Sequence, residues 1–245
     1  MRKALVVGGA NGIGLSIATE LAARPDVEKV YIVDKASLSD EYATDKFEAY
    51  QFDLTQEDYS IFDKFQDIDT LMVTAGFGRL ALFKDVDESM ISLSFNVNTI
   101  PVMRIIKRFY TQLESQQDFY CGVMVSIAGF MSSPFFSIYA ATKAALNVFI
   151  ESVNVELIKS GSSNQILNVS PGSLKGTSFT NGKTDLSITA PMANAIIAEM
   201  EKKNDLFIPQ YEEVFKNVLQ RYQDDFRKEG AHSYDYKFER LNSQK

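Results

Sequence analysis

Short apolar runs alternate with longer amphipathic stretches along most of the chain. Most of the short runs lack polar alternation, which is typical of strands covered on both faces. The predicted strands span residues 4–7, 30–33, 49–52, 70–74, 122–126, 166–169 and 206–208. The predicted helices span residues 13–23, 59–65, 88–115, 137–159, 191–202 and 212–228.

This alternation of strands and helices favours a parallel sheet with right-handed crossovers. We therefore predict an α/β protein with a doubly wound parallel sheet of about seven strands and helices on both faces. No repeat, low-complexity linker or change of composition divides residues 1–245, so a single domain is expected. Residues 210–245, a helix and a polar aromatic tail, are expected to pack on it or to contact a second subunit.

The composition narrows the possible functions. The chain has 245 residues, 25 Lys and Arg against 32 Asp and Glu, and a net charge of −7, which argues against nucleic-acid binding. A single cysteine, Cys121, and a single histidine, His232, argue against a disulfide and against a metal site. No apolar run approaches the length of a membrane span and no targeting segment is visible, so we expect a cytoplasmic protein without a membrane partner.

A glycine loop follows the first predicted strand. Gly8, Gly12 and Gly14 have the spacing G-x-x-x-G-x-G and lead into a helix. A glycine turn at the start of a helix can bind an anion, and a plain tight turn is the alternative interpretation. Asp34 ends the second predicted strand, where a carboxylate can accept both hydroxyls of an adenosine ribose, although a solvated turn residue is the alternative interpretation. Its charge would repel a 2′-phosphate and favours NAD, while the adjacent Lys35 leaves NADP open.

A second group of residues suggests acid–base chemistry. Tyr139 and Lys143 are four residues apart, so they share one face of a predicted helix. A lysine cation beside a phenol lowers the phenol pKa and provides a base without histidine; an ordinary surface pair is the alternative. Ser126 ends the fifth predicted strand, and Asn98 lies where Pro101 should kink a helix.

With these motifs, residues 3 to about 209 resemble the short-chain dehydrogenase/reductase family. The resemblance implies a Rossmann fold, a nicotinamide cofactor and a catalytic tetrad of Asn98, Ser126, Tyr139 and Lys143. It also implies that Asp53 contacts adenine and that Thr177 contacts the nicotinamide carboxamide. The cofactor-binding residues expected from the motifs are Gly8, Asn11, Gly12, Ile13, Gly14, Asp34, Asp53, Leu54, Ala75, Gly76, Tyr139, Lys143, Pro171, Gly172 and Thr177.

The resemblance also implies a mechanism. Tyr139 would protonate the carbonyl oxygen as hydride arrives from the nicotinamide, or deprotonate the alcohol in the reverse reaction. Ser126 would hydrogen-bond the same oxygen. Lys143 would lower the pKa of Tyr139 and hold the nicotinamide ribose, and Asn98 would support a water relay to Lys143.

Three positions depart from the family pattern, and one segment near the site is ambiguous. Val7 replaces the usual threonine before the first glycine, and Val73 and Thr74 replace both asparagines of the family's N-N-A-G motif, where Thr74 is expected to supply part of the lost hydrogen bonding. The Phe and Met residues between positions 130 and 136 either line an apolar substrate wall or simply pack.

The leading hypothesis is an NAD-preferring oxidoreductase that acts on a small carbonyl or secondary alcohol. An NADPH-dependent reductase of 3-oxoacyl thioesters or ketones is the second hypothesis, and a non-enzymatic dinucleotide-sensing protein is the third. The resemblance implies a homo-oligomer, a dimer or tetramer formed through the helices at 88–115 and 137–159. The apolar run 144–155 supports this, because it exceeds one core-facing stripe.

Overall fold

The computed structural model describes residues 1–177, 179 and 183–242, without the side chains of residues 240–242. Its strands are β1 Lys3–Val7, β2 Lys29–Asp34, β3 Phe47–Gln51, β4 Thr70–Val73, β5 Tyr120–Met124, β6 Ile166–Val169 and β7 Leu206–Phe207. Its α-helices are α1 Gly12–Ala22, α2 Ser89–Asn98, α3 Ile100–Arg108, α4 Tyr110–Glu114, α5 Ser137–Ser160, α6 Leu186–Glu201, α7 Lys216–Asp224 and α8 Phe226–Asn242.

The seven strands form one sheet in the order β3-β2-β1-β4-β5-β6-β7, and every pair is parallel. The predicted parallel sheet of about seven strands, with helices on both faces, is therefore confirmed. The strand order reverses between β1 and β4, so a crevice opens at their carboxyl ends, where sheets of this kind bind ligands.

Two hydrophobic cores cover the two faces of the sheet. Leu5 of β1 points into one core, with Ile105 of α3 and Ile150 of α5, while its neighbour Val6 points into the other with Ile197 of α6. Because adjacent strand residues face opposite sides, a strand buried on both faces must be apolar throughout. This explains the continuous apolar runs in the sequence.

The predicted helix at 88–115 is interrupted twice. α2 ends at Asn98 and α3 starts at Ile100, with Thr99 at φ −123° between them. Pro101 has no N–H to continue the helical bonding, so the predicted kink is confirmed. The second interruption is at Phe109, which is fully buried and leaves helical geometry before α4.

Three other helix predictions need correction. The segment predicted as a helix at 59–65 is a 3₁₀ helix over Ser60–Phe65; the side chain and backbone of Ser60 both bond to Asp58, which favours a tight turn there. α6 begins five residues before Pro191, because Asp185 caps it by accepting the N–H of Ser187.

The third correction concerns the C-terminal part. The helix predicted at 212–228 is a π-helical turn, Tyr211–Phe215, followed by α7, and the expected tail is helix α8. The helix is interrupted at Asp225, between α7 and α8. The carboxylate of Asp225 accepts the N–H groups of Arg227 and Lys228 and so caps the start of α8. None of the described helices is long and apolar enough to cross a membrane.

Candidate active site

The predicted site residues follow the carboxyl ends of the strands, around the crevice. The glycine loop follows β1, Asp34 ends β2, and Asp53 lies two residues after β3. Gly76, Ser126 and Pro171 follow β4, β5 and β6 in the same way. In a parallel sheet all these ends lie along one edge, so residues far apart in sequence come together.

Two glycines make the loop after β1 possible. Gly8 has φ +85°, a left-handed conformation that favours glycine. Gly14 has an ordinary φ, but a Cβ there would overlap the carbonyl oxygen of Gly8 and the hydroxyl of Thr74. The start of α1 therefore packs directly against the turn, which leaves no room for a side chain.

Thr74 joins the loop after β4 to the glycine loop. Its Oγ1 lies 3.1 Å from the carbonyl oxygen of Val7 and 3.0 Å from that of Gly8. The expectation that Thr74 supplies part of the missing asparagine bonding is thus met. The two loops are therefore joined without a hydroxyl at position 7, where this chain has Val7 in place of the usual threonine.

The amino-terminal end of α1 faces the crevice and offers N–H donors. Asn11 is its N-cap residue but makes no side-chain cap hydrogen bond, and Ile13 lies half-buried in the first turn. The N–H of Gly12 donates to Oγ1 of Thr184 at 2.9 Å, and a Cβ at Gly12 would be 3.5 Å from Cβ of Thr177. Thr177 thus lies beside the glycine loop, and Thr184 is a contact that the sequence analysis missed, since 172 residues separate it from Gly12.

The end of the crevice formed by β2 and β3 carries two carboxylates, Asp34 and Asp53, and both accept hydrogen bonds. The carboxylate of Asp34 accepts the N–H of Ala10 through Oδ2 and that of Ala36 through Oδ1, each at 2.9 Å. Lys35 pairs with Asp53 at 2.9 Å. The hydrogen bond from the backbone of Thr55, with help from Lys35, lowers the pKa of Asp53 to about 2. Next to it, Leu54 is buried.

Tyr139, Lys143 and Ser126 meet at the carboxyl end of β5. Ser126 lies beside the Tyr139 hydroxyl and slightly lowers its pKa, and Oγ of Ser126 accepts the N–H of Ala128 at 3.2 Å. Nζ of Lys143 donates to the carbonyl oxygen of Met124 at 2.8 Å and lies 5.7 Å from the centre of the Tyr139 ring. The predicted pair is therefore on one buried helix face and not on the surface.

Burial controls the ionisation of this pair. It raises the pKa of Tyr139 to about 12, against a smaller lowering by the Ser126 hydrogen bond, and it lowers the pKa of Lys143 to about 8. The pKa of Tyr139 is therefore raised and not lowered as expected, because burial removes its hydroxyl from water. Tyr139 is a phenol at neutral pH, the form that can give a proton to a carbonyl oxygen.

Asn98 holds the loop that follows β4. Its Oδ1 accepts the N–H of Phe77 at 2.9 Å, and its Nδ2 donates to the carbonyl oxygen of Phe77 at 2.8 Å. A Cβ at Gly76 would be 3.3 Å from Oδ1 of Asn98 and 3.5 Å from Nζ of Lys143, so Gly76 passes close to both, while Ala75 lies against Gly8. Asn98 is fully buried at this site, whereas Asn96 is exposed.

Comparison with known proteins agrees with this geometry. The family model for short chain dehydrogenases matches residues 2–186. The chain belongs to the short chain dehydrogenase family. It is accordingly an oxidoreductase, and members of this family act on small molecules.

Three relatives show how similar the chain is to other members of the short chain dehydrogenase family. Sorbitol-6-phosphate 2-dehydrogenase of Klebsiella pneumoniae is 31% identical over 191 residues, which cover 71% of this chain and 69% of that protein. Retinol dehydrogenase 8 of Bos taurus is 25% identical over 236 residues, 91% of this chain and 75% of that protein. A short chain dehydrogenase from Burkholderia cenocepacia, solved with NADP, has a TM-score of 0.77 at 20% identity, covering 95% and 99% of the two chains.

The crevice of this short chain dehydrogenase fits a dinucleotide. The fit rests on Gly8 and Gly14, which let α1 start directly against the turn after β1, and on the N–H donors of α1, which favour a pyrophosphate. Pro171 accepts the N–H of Ile127 at 3.1 Å, which fixes the β6 end beside Ser126. A Cβ at Gly172 would lie 2.8 Å from the Phe215 ring, so the C-terminal part also reaches the crevice.

Aromatic side chains surround Tyr139. The Phe136 ring centre is 5.8 Å from that of Tyr139, and the Phe179 ring centre is 5.2 Å away. The cavity beside Tyr139 is lined mainly by apolar residues, among them Phe77, Met90 and Phe135, and Arg79 is its single charged residue. The ambiguous segment 130–136 therefore lines the cavity as well as packing. Phe179, Phe215 and Arg79 carried no motif by which the sequence analysis identified them.

Proposed function

We propose that this protein is an NAD-preferring oxidoreductase that interconverts an apolar ketone and its secondary alcohol. The observation that carries the proposal is the position of Tyr139, which lies beside Ser126 and Lys143 and borders an apolar cavity. A phenol and a serine hydroxyl together can hydrogen-bond one carbonyl oxygen and give it a proton. The nicotinamide supplies hydride to the carbonyl carbon when it is bound.

Each member of the tetrad has a separate role in this proposal. Tyr139 donates the proton to the substrate oxygen, and Ser126 orients that oxygen through a hydrogen bond. Lys143 holds the nicotinamide ribose and carries positive charge below about pH 8, which favours ionised Tyr139 once the proton has left. Asn98 fixes the loop at Gly76 through its two bonds to Phe77 and lies close enough to Lys143 to support a water relay.

The preference for NAD rests on two charges at the adenosine end. Asp34 accepts one N–H on each oxygen, and because each oxygen has a second lone pair, it can still accept ribose hydroxyls. Lys35 is paired with Asp53, so its charge is offset at the place where a 2′-phosphate would need a cation. The Burkholderia relative was solved with NADP, so a preference for NADP is the competing outcome.

Asp34→Asn is expected to reduce the preference for NAD. The amide keeps the shape and one acceptor but loses the charge that repels a 2′-phosphate. Since charges near a protein surface interact by a few kcal/mol, the ratio of the NADP to NAD dissociation constants should fall roughly tenfold. Titration calorimetry with both cofactors measures it. Asp40→Asn, at an exposed carboxylate nearby, is the matched control. Tighter binding of NADP than of NAD by the unaltered protein would show that the proposed preference is wrong.

The substrate class follows from the cavity beside Tyr139. Its walls include Phe77, Met90, Phe135 and Phe136, which favour an apolar substrate, as is the retinol named for the bovine relative. A sugar phosphate, as named for the Klebsiella relative, needs several donors for its hydroxyls and phosphate, and the cavity offers one cation, Arg79.

A substrate panel tests this function directly. The full chain is assayed with NADH and NADPH against a diaryl ketone, a short methyl ketone, a 3-oxoacyl thioester and a ketose phosphate. The proposal expects the highest kcat/KM for the diaryl ketone with NADH. The highest kcat/KM for the ketose phosphate or the thioester would contradict it, and cofactor binding without turnover of any substrate would favour a sensing role.

We also propose a homo-oligomer built on the outer face of α5. Val148, Val155 and Ile158 are each more than half exposed on this face, while Leu146 and Leu157 point into the core. An exposed apolar stripe on a helix is favourable only when it is covered, and a second copy of this chain can cover it with the same stripe.

Val155→Glu is expected to dissociate the assembly, because the interface would bury an unpaired charge. Light scattering should show an oligomer for the unaltered protein and a monomer for the variant. Ile188→Glu, at an exposed apolar residue of α6, is the matched control. A monomeric unaltered protein would rule out the proposed oligomer.

A further inference from the structure

Helix α8 has one inward face. Glu229, Ser233 and Lys237 are four residues apart and are buried or half-buried, while most other described side chains of α8 are exposed. Glu229 accepts two hydrogen bonds from Arg221 of α7, at 2.8 and 3.0 Å, which ties the two helices together. This face of α8 lies against the loop 130–136, here called the phenylalanine loop.

Three contacts, about one helical turn apart, join α8 to the phenylalanine loop. A Cβ at Gly230 would be 3.2 Å from Oγ of Ser132, so the helix backbone approaches closely there. The ring of Tyr234 packs on Phe135 with 4.9 Å between centres. Nζ of Lys237 donates to Oγ of Ser133 at 2.7 Å and to the carbonyl oxygen of Pro134 at 3.0 Å.

Lys237 is the polar end of this contact. Burial lowers its pKa to about 8, so its nitrogen has lost much of its water and depends on these two acceptors. Its nitrogen also lies 5.7 Å from the centre of the Phe136 ring, within the range of a cation–π interaction.

The loop that Lys237 holds is strained and borders the reacting group. Phe135 has φ +67°, a conformation that bulky residues keep only when their surroundings impose it. The carbonyl oxygen of Phe135 accepts the N–H of Ala81 at 2.9 Å, and the next residue, Phe136, packs on Tyr139. Phe135 and Phe136 both line the cavity beside Tyr139.

We propose that Lys237 is a positioning residue through which helix α8 sets the shape of the substrate cavity. It fixes Ser133 and Pro134, and so holds Phe135 and Phe136 as a rigid wall beside Tyr139. An apolar substrate group that packs on Phe135 and Phe136 depends on this wall, while a small ketone that contacts only Tyr139 and Ser126 does not. The inference rests on the proposed function for the substrate and on the observed contacts for the wall.

Lys237→Met tests the inference, because it keeps the length of the side chain and removes the donor. In the full chain, amide exchange of the peptide that contains Ala81 should accelerate roughly tenfold or more, as loss of the two bonds loosens the wall. The ratio of kcat/KM for a diaryl ketone to that for a short methyl ketone should fall roughly five- to tenfold. The KM for the diaryl ketone should account for most of this change.

Matched variants separate this role from a general loss of stability. Lys228→Met changes an exposed lysine of α8 and should leave both readouts unchanged, and Lys237→Arg should restore most of the selectivity. Ser133→Ala should add little when combined with Lys237→Met, because the two residues act through one contact. NADH binding and circular dichroism verify that each variant is folded.

Each result decides the inference. Unchanged exchange at Ala81 overturns it, and so does an equal loss of activity for both ketones. Faster exchange without a change of selectivity also overturns it, because the wall would not then act on the substrate. Should the unaltered protein reduce neither ketone, the proposed function fails, and the cavity-shaping role fails with it, although faster exchange at Ala81 would still establish the contact between α8 and the loop.

Discussion

Replacement of Tyr139 by phenylalanine is expected to lower kcat by roughly three orders of magnitude, the scale of a lost general acid or base. Phenylalanine retains the ring that packs against Phe136 and Phe179 and removes only the hydroxyl beside Ser126. The folded structure and cofactor affinity should therefore persist. Steady-state rates of ketone reduction and alcohol oxidation, together with NADH titration, measure the two effects separately.

A second tyrosine provides the control for this variant. Tyr50 lies in the edge strand β3, and its hydroxyl donates to Glu48, far along the chain from the tetrad. Tyr50→Phe removes the same atom and should leave kcat within a factor of about two, because this part-buried hydrogen bond lies outside the tetrad. A Tyr139→Phe variant with a kcat within tenfold of the unaltered protein would contradict the role proposed for Tyr139.

Gly14→Ala is expected to abolish cofactor binding at millimolar concentration and to destabilise the protein by about 2–3 kcal/mol. The new Cβ would overlap the carbonyl oxygen of Gly8 and the Thr74 hydroxyl. The Gly8 oxygen is a backbone atom, so it cannot move away by a change of rotamer. α1 must then shift from the glycine loop, and its N–H donors move with it. NADH fluorescence titration and urea unfolding measure the two losses.

Gly161 separates steric overlap from backbone strain. It has φ +86° at the end of α5, and no atom lies within 4 Å of a Cβ built there. Gly161→Ala should lower the free energy of unfolding by about 1 kcal/mol through its left-handed conformation alone. NADH affinity should not change. If Gly14→Ala binds NADH as Gly161→Ala does, the glycine loop is not the pyrophosphate site.

The sheet, the shared helix face of Tyr139 and Lys143 and the helix break near Asn98 were predictable because their determinants are local or repeated. Continuous apolar runs identify strands covered on both faces, and a four-residue interval places Tyr139 and Lys143 on one helix face. Pro101 marks the break that follows Asn98, since a missing N–H acts within one turn. These signals depend only on neighbouring residues, so one sequence suffices to recognise them.

The surroundings of the site were not predictable, because they depend on contacts between distant segments. Thr184 meets Gly12, and Phe215 meets Gly172, only after the sheet has formed. The pKa of Tyr139 shows the same limit: its direction depends on burial by Phe136 and Phe179, which the four-residue spacing to Lys143 does not reveal. The C-terminal helices were misjudged for a similar reason, since α8 is largely polar and gives a weak periodic signal.

The two faces of helix α5 have different structural roles. Tyr139 and Lys143 occupy its first turns, and the inward positions beyond them, such as Leu146, fill the core. The outward positions Val148 and Val155 touch neither the core nor the tetrad. Mutational scanning of α5 should therefore show intolerance on one stripe and freedom on the other. Through changes on that outer stripe, descendants of this chain can alter how copies assemble while the chemistry is inherited unchanged.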